Sequence, residues 1–400
     1  MAATAEILAV TGNEAVAEAM RQINPDVVAA YPITPATEIV MIFAQYVADG
    51  KVDTEFVTVE SEHSAMSAAI GAAASGARTM TATSSQGLAL MWEMLHIAAG
   101  YRVPIVMANV NRALSGPINI HCDHSDSMGS RDTGFIQLYG EAHQEAYDNH
   151  IMAVRVAEHP EIRTPAMTMM DGFIVSGAIG PLQELTDRQV QDFIGPFQAI
   201  NPLLDSEHPV TVGPFDGLHG WFFEHKASQQ RAMDRALKVV DEVAREYAQV
   251  SGRRYGLLDP YRMDDAEIAI VVIGSTAGAT RMTVDKLRAK GVKAGMIRVR
   301  CFRPFPAAAY AKALCNCRVV GVLDRADSLG AQGGPLFLEV RSALYDSDPR
   351  PRVLPFIYGL GGRDIFPNNI EEAFAVLRKA VPATTVSVRR RYLNLRKDVV

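Results

Sequence analysis

The sequence predicts an α/β protein in which a doubly wound parallel sheet is followed by a second, smaller α/β unit. In the first 180 residues, short apolar runs at 27–31, 56–59, 79–82 and 105–110 alternate with Ala-rich stretches of helical period. The same alternation returns at 268–273, 294–299 and 319–323. Apolar strands that alternate with helices indicate a parallel sheet covered on both faces. In such sheets, ligands bind beyond the carboxyl ends of the strands.

Pro and Gly content divides the chain. Residues 1–220 form the first predicted domain, and weak periodicity with many prolines marks a connecting excursion at about 180–220. Residues 221–260 are predicted to be a linker and a helix, because Met233, Leu237, Val240 and Tyr247 recur at three- and four-residue steps. Residues 261–400 form the second predicted domain.

Composition narrows the class of protein. The chain is 48% hydrophobic and 21% charged, and it has no apolar run of about 18 residues that would cross a membrane. A net charge of -6 argues against a nucleic-acid surface. The N-terminus lacks the basic region of an export signal, and four scattered cysteines do not make a disulfide framework, so we expect a cytoplasmic protein. A basic tail, Arg389 to Arg391 with Arg396 and Lys397, is predicted to be solvated or to contact a subunit.

Several site classes lack support. There is no P-loop, no GxGxxG after a strand and no GxSxG elbow. Cys315 and Cys317 have no second cysteine pair, which argues against a zinc site or an iron–sulfur cluster. Five potential ligands are nearly consecutive and are not expected to converge on one ion, so no metal site is predicted; they are His121, Cys122, Asp123, His124 and Asp126.

The turn YPITP, from Tyr31 through Pro32, Ile33 and Thr34 to Pro35, follows the first predicted strand. Its prolines would hold the Thr34 hydroxyl where it can bind a carboxylate or carbonyl oxygen. The alternative is an ordinary turn in which Thr34 caps the next helix.

Three more groups follow neighbouring strands. Glu62 opens an Ala-rich helix, where a carboxylate also suits the helix dipole. Ser85 and Gln86 offer side-chain and backbone polar groups to a ligand. Arg112 opens a long polar loop and has the geometry to hold a carboxylate bidentately.

These motifs occur in the order of a known family. The chain resembles the α subunit of the 2-oxoacid:ferredoxin oxidoreductases, most closely the pyruvate type, over nearly its whole length. The matching motifs are YPITP at 31–35, SEH at 61–63, TSSQGL at 83–88, NRALSGP at 111–117, DHSD at 123–126, RDTGFIQLY at 131–139, RPFP at 303–306 and YGLGGRD at 358–364.

The resemblance implies a thiamine-diphosphate-binding-type doubly wound parallel sheet, the pyrimidine-binding domain, plus a smaller transketolase C-terminal-like α/β domain. Thr34 and Arg112, with Tyr31, Pro32 and Ile33, would bind the 2-oxoacid, and Ser85 and Gln86 would line the cofactor. Glu62 would contact N1′ of the aminopyrimidine, where a carboxylate stabilises the imino tautomer that deprotonates the thiazolium C2.

Partner chains are also implied. The Gly-Asp-Gly…Asn signature for Mg²⁺ and diphosphate has no counterpart, since Met170-Asp171-Gly172 lacks the leading Gly. A β chain would supply that half of the site, a δ-type chain the [4Fe–4S] clusters, and a γ chain part of the coenzyme A site. Ferredoxin would take the electrons.

Three alternatives stay open. A Trp is common in pyruvate enzymes near the position of His121, so a smaller side chain there favours a larger substrate, such as phenylglyoxylate, with NAD reached through a flavin-bearing partner. A non-catalytic assembly subunit and a transketolase-like group-transfer component are the others. The joint presence of Thr34, Glu62 and Arg112 argues against the assembly subunit.

Overall fold

A computed structural model describes residues 7–213, 215–383 and 388–396 of the chain. The strands are β1 (Leu8–Thr11), β2 (Val27–Ala30), β3 (Glu55–Thr58), β4 (Thr79–Thr83), β5 (Val106–Asn111), β6 (Ile136–Tyr139), β7 (Ala166–Asp171), β8 (Ile179–Leu182), β9 (Leu258–Tyr261), β10 (Ile268–Ile273), β11 (Ala294–Val299), β12 (Cys301–Arg303), β13 (Val319–Asp324), β14 (Arg352–Ile357) and β15 (Arg391–Tyr392).

The helices are α1 (Gly12–Ile23), α2 (Thr37–Ala48), α3 (Glu62–Ala74), α4 (Ser85–Leu90), α5 (Trp92–Tyr101), α6 (Ser125–Gly129), α7 (His143–Glu158), α8 (Asp187–Ile194), α9 (Phe222–Ser251), α10 (Thr276–Arg288), α11 (Ala307–Leu314), α12 (Pro335–Ala343) and α13 (Pro367–Ala380), with a short 3₁₀ turn at Leu360–Gly362. Among the described residues, no helix is both long and apolar enough to cross a membrane.

The first sheet has seven strands in the order β12-β6-β7-β5-β4-β2-β3, and every pair except β12–β6 is parallel. Alternate residues of β5 face opposite layers. Val106, Ala108 and Val110 join the core under α1, α2 and α7, whereas Met107 joins the core under α3 and α5. Helices therefore cover both faces, and the prediction of a doubly wound parallel sheet is confirmed.

The second sheet has the order β15-β14-β13-β10-β11-β9, in which only β9 is antiparallel to its neighbour. One hydrophobic core includes Met167 and Met169 of the first sheet together with Ala269 and Val271 of the second. The two α/β units thus share packed side chains.

Three features differ from the sequence-based expectations. Strand β12 follows β11 of the second sheet but pairs with β6 of the first, so the 261–400 segment is not wholly separate. The predicted boundary at 260/261 falls inside β9. The excursion at 180–220 contains α8 and part of β8, which pairs with β1. Between α8 and α9, the described residues 195–213 and 215–221 are irregular.

The basic tail is less exposed than predicted. Arg390 forms an ion pair with Asp327 at 3.1 Å and donates to the carbonyl oxygens of Ser328 and Ala331. Arg391 lies in β15, and Lys397 lies outside the described residues. This segment is bound to the second sheet rather than freely solvated.

Candidate active site

The predicted site residues lie at one edge of the first sheet. Strands β5, β4, β2 and β3 are consecutive neighbours and run parallel. Thr34 follows β2, Glu62 follows β3, Ser85 follows β4 and Arg112 follows β5. Because the carboxyl ends of parallel strands meet at one edge, these four residues are brought to the same edge of the sheet.

The turn at 31–35 lies against the loop after β5. Its Thr34 carbonyl oxygen accepts a hydrogen bond of 2.9 Å from Nη1 of Arg112. Helix α2 begins at Thr37, and its N-cap, Ala36, makes no side-chain capping bond. Thr34 is therefore not the helix cap that the alternative interpretation required, and its hydroxyl has no partner among the described residues.

Arg112 is buried, and its guanidinium is held at two points. Nη1 donates to Thr34, and Nε donates to the carbonyl oxygen of Asn119 at 3.1 Å. It forms no ion pair within the described parts of the chain, and Nη2 has no partner there. A buried guanidinium without a counter-ion is a strong anion-binding group.

Glu62 lies in the first turn of α3, whose N-cap Ser61 accepts from the Ser64 backbone N–H. Its side chain is 7% exposed and accepts no hydrogen bond from any described residue. The neighbouring Gly87 is the reason that the carboxylate fits. A Cβ at Gly87 would lie 2.7 Å from Glu62 Oε1 and 2.4 Å from Thr83 Oγ1. The Thr83 hydroxyl is likewise buried without a partner in the described structure.

Ser85 and Gln86 are the first two residues of α4. Ser85 adopts a positive φ of 47°, and its hydroxyl donates to the Ala113 carbonyl oxygen at 2.6 Å. Its backbone N–H and that of Arg112 both donate to the Asp126 carboxylate. The loop after β4 and the loop after β5 are thus joined through Asp126. Both Gly87 and Asp126 lie within the sequence motifs, but the sequence predicts no role for Gly87 and presents Asp126 only as one of five potential metal ligands.

A buried cluster beneath the site connects the two α/β units. Asp171, at the end of β7, contacts Nε2 of His124 at 2.8 Å, Nη1 of Arg325 at 3.0 Å and the Ser275 hydroxyl at 2.5 Å. Burial opposes ionisation, but His124 and Arg325 hold the pKa of Asp171 below its ordinary value. This cluster packs Ser275 and Arg325 of the second unit against the first.

Cys122, His124 and Asp171 are close enough together to bind a metal ion. The sequence prediction judged only the consecutive residues around Cys122, and Asp171 comes from another strand. The Asp171 oxygens are, however, already satisfied by His124, Ser275 and Arg325, and a cation would lie beside the Arg325 guanidinium. The donor set fits an ion-pair cluster better than a metal centre.

Exposed apolar side chains, here called the apolar rim, lie on the loops that follow β2, β5 and β7. Tyr31, Ile118, Ile120, Phe173 and Ile174 are all exposed there. The ring of His121 lies 5.7 Å from that of Phe173. A group of exposed apolar side chains on neighbouring loops is typical of a surface that another molecule covers.

Known proteins resemble this chain over nearly its whole length. Residues 18–245 match the family described as pyruvate flavodoxin/ferredoxin oxidoreductase, thiamine diP-bdg, and residues 266–370 match pyruvate:ferredoxin oxidoreductase core domain II. The chain is 54% identical to pyruvate synthase subunit PorA of Thermotoga maritima, over 98% of this chain and 99% of that one. It is 40% identical to ketoisovalerate oxidoreductase subunit VorA of Pyrococcus abyssi, over 97% and 98%.

Two solved structures share the fold. A 2-oxoglutarate:ferredoxin oxidoreductase from Magnetococcus marinus aligns with a TM-score of 0.68 at 20% identity, over 93% of this chain and 65% of that chain. A split gene transketolase aligns with a TM-score of 0.53 at 12% identity, over 93% and 98%. The fold class and the family predicted from the motifs are both confirmed, and the chain belongs to the pyruvate:ferredoxin oxidoreductase family, with that family's thiamine diphosphate-binding domain followed by its core domain II.

Proposed function

We propose that this chain is the α-type subunit of a coenzyme A-acylating 2-oxoacid:ferredoxin oxidoreductase, with pyruvate as the favoured substrate. The reaction converts the 2-oxoacid and coenzyme A into acyl-CoA and carbon dioxide, and it releases two electrons and one proton. The observation that carries the proposal is the convergence of Thr34, Glu62, Ser85 and Arg112 at adjacent strand ends.

The residues present fit the aminopyrimidine end of thiamine diphosphate. Glu62 is a largely buried residue whose carboxylate accepts no hydrogen bond from any described residue, so its oxygens are available to a donor on a ligand. In this proposal Glu62 holds a proton at N1′, and Ser85 and Gln86 line the same end. The bound cofactor supplies the carbon nucleophile and the electron sink for decarboxylation. Gly87 keeps space open beside the Glu62 carboxylate.

The substrate side rests on Thr34 and Arg112. Nη2 of Arg112 and the Thr34 hydroxyl are the groups without a partner in the described structure, and together they suit a 2-oxoacid carboxylate and its neighbouring oxygen. The two hydrogen bonds that hold the guanidinium reduce the ordering that substrate binding requires. Tyr31, Pro32 and Ile33 would form the adjoining wall.

Partner chains complete the proposal. The exposed apolar rim supports a β-type chain that covers this edge and brings Mg²⁺ and the diphosphate half of the site. We assign the [4Fe–4S] clusters to a δ-type chain and part of the coenzyme A site to a γ-type chain, because relatives of the whole length are named as subunits. All four cysteines are free thiols, which supports a cytoplasmic location.

Substrate choice is tested by turnover. The complex, reconstituted with its partner chains, is assayed for reduction of methyl viologen with coenzyme A and pyruvate, 2-oxoisovalerate, indolepyruvate or phenylglyoxylate. We expect the highest kcat/KM with pyruvate. A preference for phenylglyoxylate, with NAD reduced through a flavin partner, would instead support the larger pocket that His121 suggests. Acyl transfer without dye reduction would indicate a group-transfer component.

The catalytic role of this chain is tested at Glu62. Glu62→Gln should lower kcat by about 10²- to 10⁴-fold, the usual contribution of a positioned acid–base group. Glu60→Gln is the matched control, because Glu60 is exposed two residues away and contacts only Ser64. Full turnover in Glu62→Gln would identify a non-catalytic assembly subunit.

A further inference from the structure

Asp126 is a buried carboxylate that the proposed mechanism does not use. It lies in α6, and its side chain is 3% exposed. It has no ion-pair partner among the described residues and instead accepts five hydrogen bonds from neutral groups. The donors are Asn111 Nδ2 at 2.8 Å, Asn109 Nδ2 at 3.3 Å, and the backbone N–H groups of Ser127 at 2.7 Å, Ser85 at 3.1 Å and Arg112 at 3.1 Å.

One oxygen of this carboxylate contacts both halves of the candidate site. Oδ2 accepts from the backbone N–H of Ser85 and also from that of Arg112. Ser85 begins the segment that brings Gly87 against Glu62, and Arg112 carries the guanidinium that contacts Thr34. This oxygen therefore joins the two loops, in addition to the direct hydrogen bond from the Ser85 hydroxyl to the Ala113 carbonyl oxygen.

The backbone at Ser85, whose N–H donates to Asp126, adopts an unusual conformation. A φ of 47° lies in the left-handed region, which is unfavourable for a residue with a Cβ. That conformation directs the Ser85 N–H to Asp126 while its hydroxyl donates to the Ala113 carbonyl oxygen. Both hydrogen bonds connect the loop after β4 to the loop after β5.

We propose that Asp126 is a positioning residue that sets the distance between the cofactor-contacting loop at Ser85 and the substrate-binding Arg112. The inference rests on the proposed function of that site and adds to it a residue that touches neither substrate nor cofactor. Loss of the Oδ2 contacts releases both loops, so substrate affinity and turnover fall together. A misplacement of about 1 Å costs on the order of 10²-fold in rate.

The test uses Asp126→Asn in the reconstituted complex. Asn has nearly the same shape but only one acceptor oxygen, so at least two of the five donors lose their partner. We expect kcat/KM for pyruvate to fall by about 10²-fold, with a higher KM and a lower kcat. Gln137→Met is the matched control. Gln137 is buried and supports α6 from β6 through the Ser127 carbonyl oxygen, without touching Ser85 or Arg112; its kinetic constants should stay near those of the wild type.

A double-mutant cycle separates positioning from general destabilisation. If Asp126 acts on KM through Arg112, Asp126→Asn should raise KM much less in an Arg112→Ala background than in the wild type. Simple additivity of the two effects, or wild-type constants in Asp126→Asn, would overturn the proposal. If the wild-type complex oxidises no 2-oxoacid, it is the proposed function that fails.

A second variant guards against loss of assembly. Asp126→Glu keeps the charge and moves the carboxylate by one methylene. If Asp126→Asn does not assemble with its partners, an assembled Asp126→Glu complex should show the same joint change in KM and kcat. Wild-type constants in that complex would overturn the inference.

Discussion

Gly87 provides a direct test of how this site is built. Its substitution by Ala would place a Cβ 2.7 Å from Glu62 Oε1, 2.8 Å from Glu62 Cγ and 2.4 Å from Thr83 Oγ1. Ordinary contact begins at 3.4 Å, so Oε1 must retreat by about 0.7 Å, the difference between 3.4 and 2.7 Å. The Glu62 carboxylate is the flexible end of its side chain, whereas Thr83 is β-branched and stiff. Movement of the carboxylate should relieve the contact with Glu62, whereas the shorter contact with Thr83 Oγ1 requires α4 to shift away from β4. Both changes alter the position of the Glu62 carboxylate relative to the loop after β4.

The expected effect on stability is small and that on activity is large. Overpacking costs about 1–3 kcal/mol, and Ala in place of a helical Gly recovers up to about 1 kcal/mol. A displacement approaching 1 Å at a catalytic group costs about 10²-fold in rate. Gly87→Ala should therefore fold and assemble, while the kcat of the reconstituted complex falls by about 10²-fold.

The assay is pyruvate-dependent reduction of methyl viologen, with thermal unfolding measured on the same preparation. Gly71→Ala is the matched control, since Gly71 lies within α3 and nothing lies within 4 Å of its would-be Cβ. That variant should keep wild-type turnover. A Gly87→Ala complex whose kcat stays within about twofold of the wild type would show that the position of Glu62 does not matter to turnover.

Three further predictions concern substrate affinity, stability in acid and a buried ion pair. Arg112→Lys should raise KM for pyruvate at least about tenfold in steady-state assays, because a Lys ammonium cannot reproduce the planar fork that bonds Thr34 and Asn119 while Nη2 faces the substrate. An unchanged KM would exclude Arg112 from substrate binding. Burial lowers the pKa of His150 from 6.5 to about 4, so as pH falls the unfolded chain binds the proton before the folded chain does. The contribution of His150 to the free energy of unfolding is therefore complete above pH 6.5 and falls by about 3 kcal/mol as pH drops to 4. In denaturant titrations, His150→Gln should reduce this dependence on pH. Asp148→Ala should cost about 3–5 kcal/mol in urea unfolding, since it leaves the part-buried Arg253 without its partner, whereas Asp192→Ala, at an exposed ion pair, should cost less than about 1 kcal/mol.

The sequence by itself determined the class of fold and selected the residues of the candidate site. Strands β10 and β11 match the predicted runs residue for residue, because buried parallel strands are continuous apolar segments. Thr34, Glu62, Ser85 and Arg112 could be selected because each follows an apolar strand and parallel strands present their carboxyl ends together. Ordered motifs then identified the family, which the comparisons confirm.

Only the tertiary structure decided the contacts between segments distant in sequence. The pairing of β12 with β6 joins residues more than 160 positions apart, and no local pattern specifies it. The cluster around Asp171 likewise needs Asp171 at the end of β7 to meet His124 before α6, Ser275 before α10 and Arg325 after β13. Local periodicity reports which side of an element is buried, but not which distant group it meets there. The roles of Gly87 and Asp126 depend on such meetings, since one leaves space for Glu62 and the other holds two separate loops.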